Sequence, residues 1–245
     1  MPQTTQTRAI ALIRHGDYEQ PADVPSALLP YGLTTKGADQ ARACVALIHA
    51  FCRSHQLVVR PVLHCSRQLR AYQTATIIAA GLKDGGAGDI YGGEAGGAAY
   101  VVEEFGELAE RSVGAMANLT MQAIESIVDA DPRYPSLPEG WKSSSDYCLP
   151  YQGAESLRQA GTRVAAHICR FWPAIAPRQV QVIVGHGAAI RHAAAKLGIL
   201  AEADIARLSM HHARPVFITC DNAGGWHQVG GEWKTRQRAG DEFGE

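Results

Sequence analysis

The chain reads as an α/β protein, a three-layer α/β/α arrangement with a mainly parallel central sheet, and three observations predict it. Short apolar, β-prone runs alternate with helical stretches along most of the length. Three of these runs end alike, each strand delivering an Arg or a His before a helix begins. With 245 residues and 46% hydrophobic content the chain can bury a substantial single core, and lengths up to about 250 residues are compatible with one domain.

Taken in order, residues 8–13 (RAIALI) form a brief strand, and Gly16 lets the backbone turn where other residues cannot. A helix follows over residues 35–53, then an apolar strand over 61–65. Ser66 is the expected N-cap of a helix over 67–80, which places Arg70 about one turn beyond the cap. The glycine-rich stretch 84–99 lacks the Gly-Lys-Ser/Thr of a phosphate loop and reads as a mobile surface linker. A strand at 99–102, a helix at 117–130 and a helix at 153–171 come next. Residues 131–153, rich in Pro, Ser and aromatics, are too irregular for core, so the insertion at about 120–153 is read as a lid. Arg133, Tyr134, Trp141 and Lys142 are its candidate substrate contacts, with a packed surface insertion as the alternative. A strand at 180–184, a helix at 187–198, a strand at 215–220, an edge hairpin at 225–233 and a polar tail at 234–245 complete the pattern.

The chemistry gathers at three strand ends: Arg14-His15-Gly16, then His64-Cys65-Ser66 running on to Arg70, then Gly185-His186-Gly187. Side chains leaving the carboxyl ends of strands in an open α/β sheet face the usual ligand crevice. Together these segments resemble the histidine phosphatase superfamily, also called the phosphoglycerate mutase-like family. Two further stretches carry the likeness. Leu33-Thr34-Thr35-Lys36-Gly37-Ala38-Asp39-Gln40-Ala41 resembles that family's LTxxGxxQA helix start, and Gly153-Ala154-Glu155-Ser156-Leu157 its G-E-S-L segment with one residue inserted. The matches run in order from about residue 8 to about residue 195, and the resemblance implies the phosphoglycerate mutase-like fold.

A phosphate monoester is dianionic, so its transfer needs positive charge around the equatorial oxygens and a nucleophile in line with the leaving oxygen. Arg14 and Arg70 suit the first task because a guanidinium is planar, permanently charged and binds oxygens in pairs. His15 suits the second. Its attacking nitrogen must be unprotonated, and a cation about 4 Å away disfavours imidazolium by roughly 4 kcal/mol at an effective dielectric near 20. The resemblance implies that His15 becomes a phosphohistidine and that His186 is the second pocket histidine, with Gly187 beside it at the phosphate. It also implies Glu110 as the proton donor, since Glu110, Arg111 and Gly114 reproduce the family's Glu-Arg pair with a Gly four residues after the Glu. Glu103, Glu104 and Glu107 read as a solvated charge cluster. Tyr18 and Arg111, with Trp141 and Lys142, are candidate substrate contacts.

The mutases of the family place a Lys eleven residues after the acid, where this chain has Met121, and an Arg pair with no counterpart around Glu125–Asp129. Asp17 and Glu19 are expected to repel a second anion. A phosphomonoester hydrolase is therefore favoured over a mutase of the phosphoglycerate type or a non-catalytic phosphoryl-binding protein. No cofactor and no metal are expected, because His211, His212 and His227 lack ligand spacing and read as surface or capping residues. Cys65 reads as a small buried hydrophobe. A net charge of -1 gives no reason to invoke nucleic acid or membrane. The expected partners are a phosphorylated small molecule, with a phosphoprotein also admissible, and a second copy in a homodimer. Six cysteines without a paired C-x-x-C pattern, no signal peptide and no long apolar run lead to a cytoplasmic expectation.

Overall fold

A computed structural model describes residues 8–84 and 99–236. The strands are β1 (Ala9–Arg14), β2 (Val58–Val59), β3 (Val62–Ser66), β4 (Val101–Phe105), β5 (Gln179–Gly185), β6 (Leu208–Ser209), β7 (Val216–Cys220), β8 (Trp226–Gly230) and β9 (Lys234–Thr235). The helices are α1 (Thr35–His55), α2 (Leu69–Asp84), α3 (Met121–Ala130), α4 (Leu157–Phe171), α5 (Gly187–Lys196) and α6 (Glu202–Ile205). The main sheet has the order β4-β3-β5-β1-β7-β8, with β2 paired to β5. β1, β3, β4 and β5 run parallel, while β7 and β8 complete one edge antiparallel.

The alternation within β1 builds the layers. Ala9, Ala11 and Ile13 face one way with Leu63, Val182 and Val184, and pack on Cys44 and Ile48 of α1 and Ala75 and Ile78 of α2. Ile10 and Leu12 face the other way with Ile183, against Val164 and Ile168 of α4 and Ile190 of α5. The period of two along a strand makes this division unavoidable once both faces are covered. Each large aliphatic so buried contributes about 1.5–3 kcal/mol of transfer free energy. The predicted three layers and mainly parallel sheet are thus present.

Several boundaries differ from the sequence expectation. Ser66 ends β3 instead of capping α2, which starts three residues later at Leu69. α3 begins at Met121, not 117, because Thr120 caps it by accepting from the Ala123 amide, and residues Gly114–Met116 form a 3-10 turn. The 131–153 segment is less irregular in its packing than expected: Trp141 and Leu149 join Val113, Met116, Ile124 and Val128 in a separate apolar cluster. Most of the glycine-rich linker and of the polar tail lies outside the described residues. Among the described residues, no helix is long and apolar enough to cross a membrane.

Facing the α4 layer, His64 and His167 form a buried pair, with Nδ1 of His64 3.0 Å from Nε2 of His167. Phe105 and Phe171 enclose both rings. Burial first, and then His167, pushes His64 down to about 3; burial first, and then Arg170, pushes His167 down to about 4. Both rings are therefore depressed relative to an unfolded histidine near 6.5. The unfolded chain binds more protons between these values, so this stabilisation is complete above about pH 6.5 and is lost as pH falls toward 4. We expect the urea midpoint to drop between pH 7.5 and pH 5, and H64F/H167F to shrink that drop; an unchanged pH dependence in the double variant would show that the pair does not titrate on unfolding.

Candidate active site

The site forms where β3, β5 and β1 end side by side. Arg14 pairs with Gly185, Cys65 pairs with Val184, and the His15 amide donates to the Gly185 carbonyl at 3.0 Å. Because the three strands are parallel neighbours, whatever follows their last residues must emerge on one side of the sheet.

The loop after β1 is fixed by the start of α1. Thr34 caps α1 by accepting from the Gly37 amide at 3.0 Å, and its hydroxyl donates to Asp17 Oδ2 at 2.8 Å. Gln40 Oε1 accepts from the Asp17 amide at 2.8 Å, and Thr74 Oγ1 of α2 accepts from the Gly16 amide at 3.0 Å. Gly16 and Gly37 are in direct backbone contact, so a Cβ on either would fall onto the other segment's main chain. The Thr, Gly and Gln of the α1 start therefore act by seating the loop that carries His15. Asp17 is held at this helix start, also 3.8 Å from Lys36, and Glu19 points to solvent. Neither is among the residues lining the cleft described below.

Four predicted residues meet in a buried cluster. His15 and His186 have ring centroids 5.1 Å apart. Arg70, fully buried on the first turn of α2, donates from Nε to His15 Nε2 at 3.2 Å. Its Nη1 donates to the Leu29 carbonyl and its Nη2 to the Ser26 carbonyl, each at 3.0 Å, and Nη2 stands 3.4 Å from His186 Nδ1. Arg14 Nη1 donates to the Met210 carbonyl at 3.1 Å. Gly187, the first residue of α5, leaves room for the Arg14 side chain; a Cβ there would stand 3.0 Å from Arg14 Cδ.

The hydrogen bonds settle the His15 tautomer. Nδ1 lies 2.7 Å from the Gly16 carbonyl, which can only accept, so Nδ1 carries the proton. Nε2 then presents its lone pair, consistent with accepting from Arg70. Burial, reinforced by His186, Arg70 and Arg14, holds His15 well below the usual histidine range, outweighing the opposing effect of the Gly16 bond. Burial and then Arg70, Arg163 and Arg14 do the same to His186. Its Nδ1 accepts from Arg70, so its Nε2 donates to Ser66 Oγ at 2.9 Å. Ser66, read from sequence as a helix cap, instead orients the second histidine.

Glu110 is buried, and three contacts fix it. Its amide donates to Gln68 Oε1 at 3.0 Å, its Oε1 accepts from the Arg111 amide at 2.8 Å, and its carbonyl accepts from Arg163 Nη2 at 3.0 Å. Arg163 also donates to the Glu107 and Ala109 carbonyls and is paired with Glu155. The G-A-E-S-L segment thereby acquires a physical role: Ser156 caps α4 in a capping box with Gln159, and Glu155 aims Arg163 at the backbone that carries Glu110. Glu103 and Glu104 are exposed, and Glu107 pairs with Arg170 at the surface.

Tyr18 is buried beside the cluster, its ring 5.2 Å from that of His15 and 4.4 Å from the Arg70 guanidinium carbon. A cleft adjoining the cluster is lined by Ser26, Glu110, Arg111, Lys142, Arg191 and Arg236, among others. Trp141 does not line it; its ring supports Arg111, with the guanidinium carbon 5.8 Å from the ring centre. Arg133 is exposed and paired with Asp131, and Tyr134 meets Tyr151 edge-on; neither lines this cleft. Cys65 is buried in the core behind the site, and burial pushes its thiol up to about 12.

Sequence reasoning missed three residues. His212, read as a surface or capping residue, has its ring 5.7 Å from that of His15, because the 212–213 backbone bridges to Arg14. Arg191 follows Gly187 by one helical turn, a spacing that could have placed it on the pocket side of α5. Arg236 carried no signal at all.

A comparison with curated proteins finds no match. Solved structures of similar fold include a mycobacterial glucosyl-3-phosphoglycerate phosphatase, 20% identical with a TM-score of 0.61, covering 91% of this chain and 97% of its own. They also include the α-ribazole phosphatase of Shigella flexneri, 18% identical with a TM-score of 0.63, covering 90% and 94%. A protein described as mycobacterial hydrolase 2 is 19% identical with a TM-score of 0.64, covering 96% and 94%. The family model of the histidine phosphatase superfamily, branch 1, matches residues 10–230. With its paired histidines and arginines at adjoining strand ends and nearly its whole length matched, this chain belongs to the histidine phosphatase superfamily.

Proposed function

We propose that this superfamily phosphatase hydrolyses phosphomonoesters through a phosphohistidine on His15. The observation that carries the reading is the unprotonated His15 Nε2, held neutral by burial and surrounded by the anion-binding side chains Arg70 and Arg14. In the free enzyme Arg70 Nε donates to that nitrogen; phosphoryl oxygens take over this donor when substrate binds. Nε2 attacks phosphorus as the bond to the leaving oxygen breaks, and the Glu110 carboxyl protonates the departing alkoxide. The Gly16 carbonyl, still accepting from Nδ1, stabilises the positive charge that develops on the ring. In the second half, Glu110 takes a proton from water as the water oxygen bonds to phosphorus and the N–P bond breaks, restoring His15 and releasing phosphate.

The solved neighbours named as phosphatases support the hydrolytic reading. So does Met121, which packs against the apolar cluster of the 131–153 region and supplies no cation where the mutases carry a Lys. Six unpaired thiols support a reducing, cytoplasmic setting. Release of p-nitrophenol from p-nitrophenyl phosphate by the native chain is the direct test. Glu110→Gln should slow alkyl phosphates about 10²–10³-fold while slowing p-nitrophenyl phosphate much less, since a good leaving group needs little proton donation. An equal loss across leaving groups would remove Glu110 from the role of acid.

A further inference from the structure

We infer that Gln68 is the positioning residue of the proton donor: its side-chain amide ties the Glu110 main chain to the 26–29 loop and so holds the donor at a set distance from the phosphoryl pocket. This rests on the phosphatase reading above and adds to it a residue that acts through Glu110.

Gln68 sits in the short connection between β3 and α2, midway between two residues of the site. Ser66, two residues before it, accepts from His186 Nε2 at 2.9 Å, and Arg70, two residues after it, donates to His15 Nε2 at 3.2 Å. The Gln68 side chain reaches the remaining component. Its Oε1 accepts from the Glu110 amide at 3.0 Å, and its Nε2 donates to the Ala27 carbonyl. The backbone that carries it is fixed as well: its amide donates to Ser66 Oγ at 3.3 Å, and its carbonyl accepts from the Ala71 and Tyr72 amides at 2.9 and 3.1 Å.

One orientation of the side-chain amide satisfies both neighbours. Exchanging its oxygen and nitrogen would set donor against donor at Glu110 and acceptor against acceptor at Ala27. Ala27 belongs to the loop whose Ser26 and Leu29 carbonyls accept from Arg70 at 3.0 Å each. The bridge therefore joins the segment that carries the acid to the segment that seats the phosphate-facing guanidinium. Ala27 and Glu110 both line the cleft beside the catalytic cluster, and Gln68 spans them.

The place of the acid depends on this bridge because the Glu110 carboxyl bonds to its own stretch of chain. Its Oε1 accepts from the Arg111 amide at 2.8 Å, so the carboxyl goes where residues 110–111 go. Arg163 holds that backbone from the α4 side through the Glu107, Ala109 and Glu110 carbonyls. Gln68 holds it from the α2 side through the Glu110 amide, and that contact sets the acid relative to Arg70 and His15. A proton donor must come within about 2.6–3.2 Å of the leaving oxygen, and a displacement of about 1 Å costs about 10²-fold in rate.

The test measures kcat on phenyl phosphate and p-nitrophenyl phosphate, substrates of like shape whose leaving groups differ in their need for a proton. Gln68→Met should lower kcat about 30-fold on phenyl phosphate and about threefold on p-nitrophenyl phosphate, with Gln68→Ala measured in its place if the Met variant does not fold. Added to Glu110→Gln, the same substitution should slow phenyl phosphate by no more than about threefold further, because the group it positions is already gone. An equal effect on the two substrates, or the full 30-fold further loss in the double variant, would overturn the positioning role, while release of p-nitrophenol by the native chain keeps the phosphatase reading standing. Failure of the native chain to release p-nitrophenol would overturn that reading and this inference with it.

Discussion

His15→Ala is expected to lower kcat on p-nitrophenyl phosphate by at least about 10³-fold and to abolish acid-labile incorporation of labelled phosphate during turnover. The effect is large because the proposed nucleophile itself is removed, while His186 stays engaged with Arg70 through Nδ1 and with Ser66 through Nε2. Rapid-quench trapping separates this reading from a merely structural loss, since a chain that retains its native circular dichroism yet incorporates no label has lost the covalent step. The same geometry sets the pH profile. Burial and the adjacent cations keep His15 neutral well below the usual range, so activity should persist below pH 6.5 with no acid limb assignable to imidazole protonation. Retained label incorporation in His15→Ala would place the nucleophile elsewhere.

The second large effect is expected at Arg70, where catalysis and folding depend on one side chain. Its guanidinium holds His15, the Ser26 and Leu29 carbonyls of the 26–29 loop and the His186 ring, and it lies against the face of Tyr18. Arg70→Met keeps much of the volume but leaves the Ser26 and Leu29 carbonyls, both in buried residues, without this donor. Each such group costs about 1–3 kcal/mol, so a loss of about 2–6 kcal/mol in unfolding free energy is expected by urea titration. Loss of the phosphate-facing charge should also lower kcat/KM by about 10²–10³-fold. Inorganic phosphate should raise the thermal midpoint of the native chain and not of this variant. Near-native stability together with near-native phosphate response in Arg70→Met would show that neither the loop nor the anion relies on it.

How much of this was legible in sequence depended on how local the cause was. The strands of the central sheet were readable because each buried strand carries an apolar run ended by Gly, Ser or Arg, broken by His64 in β3 and by Gln181 in β5. β2, β6 and β9 were not, because two-residue strands have no pattern of their own and exist only through their partners. The hydroxyl of Ser66 looked like a helix cap because Ser commonly caps, yet the sheet register carried β3 one residue farther and turned that hydroxyl to His186. Likewise Trp141 resembled a ligand contact by its setting among prolines and serines, while folding buried it under Arg111.

By itself, then, the sequence determined which chemistry was available: apolar runs that must pair into a covered parallel sheet, and imidazole and guanidinium groups placed at the ends of those runs. That much follows from local periodicity and from the side-chain types. Only the tertiary structure decided which nitrogen of His15 bears the proton, that His212 stands beside it, and that Lys142, Arg191 and Arg236 share one concavity with Arg111. Those outcomes depend on distances between residues remote in sequence, and such distances are fixed by the packing of both helical layers on the sheet and leave no trace in local spacing.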